Sequence, residues 1–585
     1  MCGIAGMMTV NGAPPPAALM DAFLAALAHR GPDGEGRHVS GDVGMVQTRL
    51  AIIDLATGDQ PLYEPGGAAL VANGEIYNYI ELRAELPGVR IATGSDCELP
   101  LHLYRREGTT FAGRLRGMYA IALHDPQARR LVLARDPFGI KPLYYAETPR
   151  GLAFASEPHV LVAAGIVTAE IDEDARAELL QLQFTTGTRT IFRGISRLAP
   201  GETLVVAGGR IVERHRHPAL PDGPPVAWDE ALAVARLDQV LEESVRLHQR
   251  ADVPYGLFLS GGVDSTAVLA MMARLNERPV RAFTIGFPGT GVADEREAAR
   301  KAAAATGAEH VEVEFDEADF WRLLPAVAAA MDDPAADYAT LPTFKLAAVA
   351  GEELKVVLSG EGGDELFAGY GRYRSAVRPW WLGGRLPRAH GIFDRIKVLR
   401  TDVSGWRDGI AAAEMAEGGR GRSRLQTAQA TDCADWLPND LLTKLDRCLM
   451  AHGVEGRTPF VDPGVAAFAF ALPDTLKIRD GRGKHLLRRW LAGTLPAADP
   501  FARKRGFTVP VAQWIRGRGD KLGPLVAAHP AIAPLADPAA VAALFRTEGK
   551  HAGFAAWTLL FYALWHGRHI LGRPLADDTF AALAG

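Results

Sequence analysis

Cysteine is scarce in this chain: Cys2, Cys97, Cys433 and Cys448 are the only four in 585 residues. That is too few for a disulfide framework and suits a reducing compartment. No uninterrupted apolar stretch reaches the length of a membrane span. The N-terminus has no basic region ahead of an apolar one, and Asp21 interrupts its first apolar helix, so no secretory signal is expected. Charge of one sign is missing too: 64 Lys and Arg against 69 Asp and Glu give a formal net charge of −5, with no long basic run. This offers no general attraction to nucleic acid or to an anionic membrane. Internal repeats and low-complexity tracts are also absent. Together these absences predict a cytoplasmic protein whose partners are small molecules, with neither nucleic acid nor membrane among them.

A chain of 585 residues, 48% hydrophobic and 23% charged, is ordinary globular material too long for one core. Up to about residue 210, short apolar runs (44–47, 69–72, 118–123 and 130–134) alternate with Gly, Pro, Asn and Asp turns. They read as strands, with helices near 17–29 and 96–107, so residues 2–212 are expected to form an α+β domain with a sheet-rich core. Residues 213–228 are Pro-rich and read as a linker, with His215 and His217 solvated rather than metal-bound. From residue 229 the rhythm changes. A helix over 229–249 leads to buried strands at 255–259, 281–286 and 355–358, separated by helices and Gly-rich turns. That alternation predicts an α/β domain over 229–530 with a doubly wound parallel sheet and a helical C-terminal part. A helical extension over 531–585 is expected to pack on it.

Three places carry chemistry. Loss of Met1 would leave a thiol and a free α-amine together on Cys2, and an amine with a pKa of about 7.7–8.0 can serve as the base for its own thiol. Ser260-Gly261-Gly262-Val263-Asp264-Ser265 directly follows a buried strand and opens a helix, so its amides and hydroxyls suit anionic oxygens. Asp264 in that loop can hold Mg²⁺ against a polyphosphate. No Gly-Lys-Ser/Thr follows; the loop resembles that of the ATP pyrophosphatase superfamily. The second turn, Ser359-Gly360-Glu361-Gly362-Gly363-Asp364-Glu365, places acids among glycines after another apolar strand. Asp364 reads as a second Mg²⁺ ligand beside Asp264.

With Cys2, these motifs resemble the glutamine-hydrolysing asparagine synthetase family over nearly the whole chain. Arg30-Gly31-Pro32-Asp33, 49–54, 73–78, 94–98 and 135–139 match its glutaminase half. Asp446-Arg447, 450–455, 457–460, 484–488 and Lys504-Arg505-Gly506-Phe507 match its synthetase half. The resemblance implies an N-terminal-nucleophile glutaminase with stacked antiparallel sheets, followed by the ATP pyrophosphatase fold. It implies that Cys2 attacks glutamine, that Asn73 and Gly74 stabilise the oxyanion, and that Arg49, Ile53, Asn73, Glu75 and Asp96 bind the substrate. ATP would meet Leu259, Ser260, Gly261, Gly262, Asp264, Ser265, Ile285, Ser359 and Gly360, with Lys484 and Arg488 on the departing pyrophosphate. Glu361 would act in forming or aminating an aspartyl-adenylate, with ammonia passed internally between the sites. A homodimer is compatible with the resemblance. The segment 332–342 and Gly456 depart from the family's expected pattern near the acceptor pocket, so an acid other than aspartate stays open as the acceptor: a peptide, a sugar or a natural-product precursor.

Overall fold

The computed structural model describes residues 2–292, 295–384, 388–401, 403–502 and 509–585. Among them, the chain up to Arg216 builds two six-stranded antiparallel sheets. In one, Gly3–Thr9 lies between Val43–Arg49 and Gly151–Ala155; in the other, Ala69–Ile76 pairs with Gly117–Asp125. Ile4, Met8, Met45 and Phe154 of the first meet Val71, Ala120, Leu133 and Val206 of the second, a sandwich core. Helices cover the outer faces. Met20, Phe23 and Leu27 pack on the first sheet, and Leu99 and Leu103 on the second. Covered on both sides, the central strands read as continuous apolar runs rather than as alternation.

The last strand of this half, Arg210–Arg216, takes in residues 213–216 of the expected linker. It is an edge strand bearing Arg210, Glu213, Arg214 and Arg216, and charge at an edge is what conceals a strand from apolar patterning. His215 there is exposed, with its Nε2 3.2 Å from Glu213 Oε2.

Beyond the linker, five parallel strands lie in the order Glu309–Glu314, Arg281–Gly286, Tyr255–Phe258, Val356–Leu358, Glu455–Arg457. The earliest of them sits in the middle, so the winding direction reverses at its carboxyl end, where such sheets bind ligands. Both Gly-rich turns leave from there, on neighbouring strands. No helix among the described residues is long and apolar enough to cross a membrane.

The helix Lys550–His569 is buried over most of its length. It packs on Glu317–Ala330 of the second half and also reaches the first half. There the ring of Trp565 lies 5.6 Å from Phe192, and Gln183 Nε2 donates to Thr558 Oγ1 at 3.2 Å. The two halves are further joined by buried ion pairs. Arg30 meets Glu157 and Asp446, Arg447 meets Asp332 and Asp446, Asp332 reaches His159, and Arg197 meets Asp333. Asp332 and Asp333, which the sequence places near the acceptor pocket, therefore face the first half. Removing one partner of such a network strands a buried charge. Arg447→Ala is expected to lower stability by about 3–5 kcal/mol, read as a lower urea midpoint, whereas the exposed pair Lys301–Glu297 contributes about 0.5 kcal/mol at most.

Candidate functional site

Cys2 precedes the central strand of the first sheet and is 7% exposed. Its backbone N donates to Asn73 Oδ1 at 3.2 Å, and its carbonyl accepts from Arg30 Nε. Burial pushes the thiol pKa up, while the positive amino terminus and the Leu50 amide pull it down. Asn73 spends its oxygen on Cys2, leaving its buried Nδ2 without a hydrogen-bond partner. A buried donor left unpaired beside a thiol is what an oxyanion requires. Gly74 follows with φ 152°, and a Cβ there would stand 2.0 Å from the Met118 carbonyl oxygen, so no other residue fits.

Around this centre stand the other residues expected to hold glutamine. Arg49 donates to Asp59 Oδ1 at 2.6 Å and to the carbonyls of Ile53 and Asp54. Asp59 is 84% exposed, so an incoming carboxylate can displace it. Asp96 accepts from the Ile76 amide at 2.6 Å, and burial pushes its pKa up to about 6. Glu75 is pushed well up by burial and by the charges of Asp96 and Glu455, against the pull of Arg457.

Glu455 and Arg457 belong to the second half, and nothing in the spacing of the sequence attaches them to Cys2. Fully buried Arg457 donates to Glu455 Oε1 at 2.6 Å and places Nη2 3.6 Å from Glu75 Oε2. Its carbonyl accepts from the Ser359 amide at 2.8 Å, at the start of the second Gly-rich turn. One three-residue strand thus touches both Glu75 beside Cys2 and the start of the second Gly-rich turn. Gly456 within it is small because Leu445 and Leu449 would stand within 3.1 Å of a Cβ.

The second centre is a cavity of about 650 Å³ lined by Ser260, Gly261, Gly262, Asp264, Asp364, Lys484 and Arg488, among others. Leu259, Ser265, Ile285, Ser359 and Gly360 lie outside its lining. Ser260 and Ser265 face each other with their hydroxyls 3.1 Å apart, tying the loop to the helix it opens. The two turns touch: a Cβ on Gly363 would lie 2.6 Å from Asp264 Oδ1. Lys484 enters in the left-handed conformation (φ 61°) and bonds Asp264 and Asp364, the latter at 2.6 Å. Burial opposes its charge, but the two carboxylates outweigh burial and raise its pKa. Two carboxylates converging on one ammonium fit a site for a divalent cation. Arg488 donates to the carbonyls of Gly483 and Pro500. Burial raises the Glu361 pKa against the opposing charge of Lys444, whose Nζ lies 3.8 Å away. The motif Lys504-Arg505-Gly506-Phe507 lies outside the described residues.

Comparison with known proteins agrees with this geometry. The family model described as asparagine synthase matches residues 236–567, and that of a glutamine amidotransferase domain matches residues 1–216. A Mycobacterium bovis protein named for glutamine-hydrolysing asparagine synthetase is 36% identical, the match covering 92% of each chain. Bacillus subtilis asparagine synthetase (glutamine-hydrolysing) 1 is 32% identical, with 88% of each chain covered. The amidase chry2 of Gibberella zeae is 30% identical, over 83% of this chain and 86% of its own.

Proposed function

The chain belongs to the glutamine-hydrolysing asparagine synthetase family, a carbon–nitrogen ligase with glutamine as amido donor and ATP as substrate, and from that premise we propose that its acceptor is free aspartate and that Cys2 starts the reaction. The α-amine of Cys2 takes the thiol proton, and the thiolate attacks the glutamine carboxamide. Asn73 Nδ2 and the Gly74 amide hold the oxyanion, each worth about 3 kcal/mol in the transition state. As the tetrahedral intermediate collapses, the α-ammonium returns its proton to the nitrogen, ammonia leaves with cleavage of the C–N bond, and water then frees glutamate from the glutamyl thioester that remains. Arg49 takes the glutamine carboxylate in exchange for Asp59, with Ile53 fixing it from behind, while Glu75 and Asp96 take the α-ammonium. At the second centre the Ser260 loop and the turn at Ser359 and Gly360 bind ATP, with Leu259 and Ile285 flanking the base. The aspartate β-carboxylate attacks the α-phosphorus, and pyrophosphate leaves onto Lys484 and Arg488. Asp264 and Asp364 would hold Mg²⁺, which supplies neutralising charge on the polyphosphate. Glu361 takes a proton from ammonia as it displaces AMP from the β-aspartyl-adenylate.

The observation that carries this reading is the strand Glu455–Arg457, which touches Glu75 through a side chain and Ser359 through a carbonyl. Such contact supports ammonia passing inside the protein between domains spanning 2–212 and 229–530. Pyrophosphate release measured against a panel of acids tests the acceptor: aspartate is expected to support it, and release with another acid alone would move the activity to that acid. The pH dependence follows from Asp96. Its ionised form binds the ammonium, and its pKa lies at about 6, so it protonates as pH falls through that value. Glutaminase kcat/KM is therefore expected to fall about tenfold per pH unit below pH 6. Asp96→Asn should lower activity and flatten that limb of the profile.

A further inference from the structure

The junction between the halves gathers two imidazoles and two carboxylates that neither centre uses. His29 lies in the short turn Ala28–Arg30, and Glu157 directly precedes the helix Pro158–Ala163, which carries His159. Asp332 comes from the second half, just past the helix Glu317–Ala330. His159 Nδ1 stands 3.0 Å from Asp332 Oδ2 and 3.3 Å from Glu157 Oε2. His29 Nε2 stands 3.0 Å from the same Glu157 oxygen. The ligand atoms of Glu157, His159 and Asp332 all lie within 4.8 Å of one another. Bonds of about 2.0–2.2 Å to zinc put neighbouring ligands of a tetrahedral ion about 3.3 Å apart. The three spacings measured from the imidazoles are close to that value.

The other oxygen of each carboxylate is held from behind. Glu157 Oε1 accepts from Arg30 and lies 3.6 Å from Arg447 Nη1, and Asp332 Oδ1 accepts from Arg447 Nε at 2.7 Å. Both carboxylates therefore turn their second oxygen towards the imidazoles, as outer partners orient carboxylates that bind a metal. Asp446 bonds both Arg30 and Arg447, so three carboxylates face two guanidiniums and one negative charge is in excess. Two imidazolium protons, or one divalent ion on two neutral imidazoles, meet that excess with the same added charge. The protons would set two cationic rings 6.0 Å apart on one shared oxygen, beside Arg447. The ion concentrates the charge between the rings and avoids that repulsion. A path for it exists, because the carboxylates are buried whereas the His29 and His159 side chains are 42% and 29% exposed.

We propose that Glu157, His159 and Asp332, with His29 closing the set, bind one zinc ion that pins the first half of the chain to the second. Imidazole nitrogens with carboxylates are a donor set for zinc, whereas magnesium takes oxygen ligands. Asp332 is the sole ligand from the second half, so the ion acts as a clip across the junction and takes no part in either reaction.

The test loads the full chain with zinc sulfate, removes loosely held metal by desalting, and counts zinc per chain. His159→Gln should hold one zinc fewer than the wild type. His215→Gln, at the exposed pair with Glu213, should hold as many as the wild type. Zinc bound at Asp264 and Asp364 is common to all three proteins and cancels. Glutamine hydrolysis at Cys2 reports whether each protein is folded. Equal zinc in the wild type and in folded His159→Gln overturns the site. Should His159→Gln not fold, anomalous scattering at the zinc edge from crystals of the loaded wild type decides instead. A peak among Glu157, His159 and Asp332 supports the clip, and zinc found only elsewhere, or not at all, overturns it.

Discussion

Cys2→Ala is expected to cut glutamine-dependent amide synthesis by at least about 10⁴-fold, because no other nucleophile can form the thioester. Cys97 is the nearest candidate to replace it, and it does not suffice. Burial and the charge of Asp96 push its thiol pKa well up, and its Sγ faces the Gly74 carbonyl at 3.7 Å. Ammonia-dependent synthesis should survive essentially unchanged, since the cavity at Lys484 shares no side chain with Cys2. The check is product formation with glutamine and then with ammonium chloride at a pH high enough to supply free ammonia. Loss of both activities would mean that the centres are not separable. Retained ammonia-dependent turnover itself reports an intact second half in the variant.

Lys484→Met is expected to have the opposite selectivity. The variant should lose pyrophosphate release by about 10²–10³-fold while glutamine hydrolysis persists. Lys484 is a cation that both Asp264 and Asp364 contact, so its loss removes the ammonium between two carboxylates. Binding of Mg²⁺ can relieve their repulsion, but Arg488 is then left to meet the charge on the leaving pyrophosphate without the ammonium beside it. Lys484→Arg should fail as well. A planar fork cannot replace a compact ammonium at a residue held at φ 61° between two carboxylates. Pyrophosphate release and glutamate production, measured on the same preparation, separate the two effects; equal loss of both would contradict the assignment.

Much of this architecture was legible in the chain because local rules act locally. The apolar runs at 69–72 and 118–123 became adjacent strands, and the Gly-rich turns fell at strand ends beside the topological switch point. The edge strand Arg210–Arg216 escaped because charge there replaces the apolar pattern. Contacts between the halves were not legible for a different reason. Arg457 and Glu75 are 382 positions apart in the sequence, and no spacing rule links them. Asp332 and Asp333 belong to a segment that the sequence places near the acceptor pocket, yet they are consumed by His159, Arg447 and Arg197 at the junction. The π-helix Asp432–Leu442 has no propensity signature; its geometry arises from the packing around it.

Transfer of nitrogen from one centre to the other is tested most directly with glutamine labelled with ¹⁵N in its amide, supplied with aspartate, ATP and an excess of unlabelled ammonium. The product should be asparagine whose amide carries the glutamine label, formed with one AMP and one pyrophosphate each. Asparagine carrying mainly unlabelled nitrogen, or label in an amide of some other acid, would contradict it.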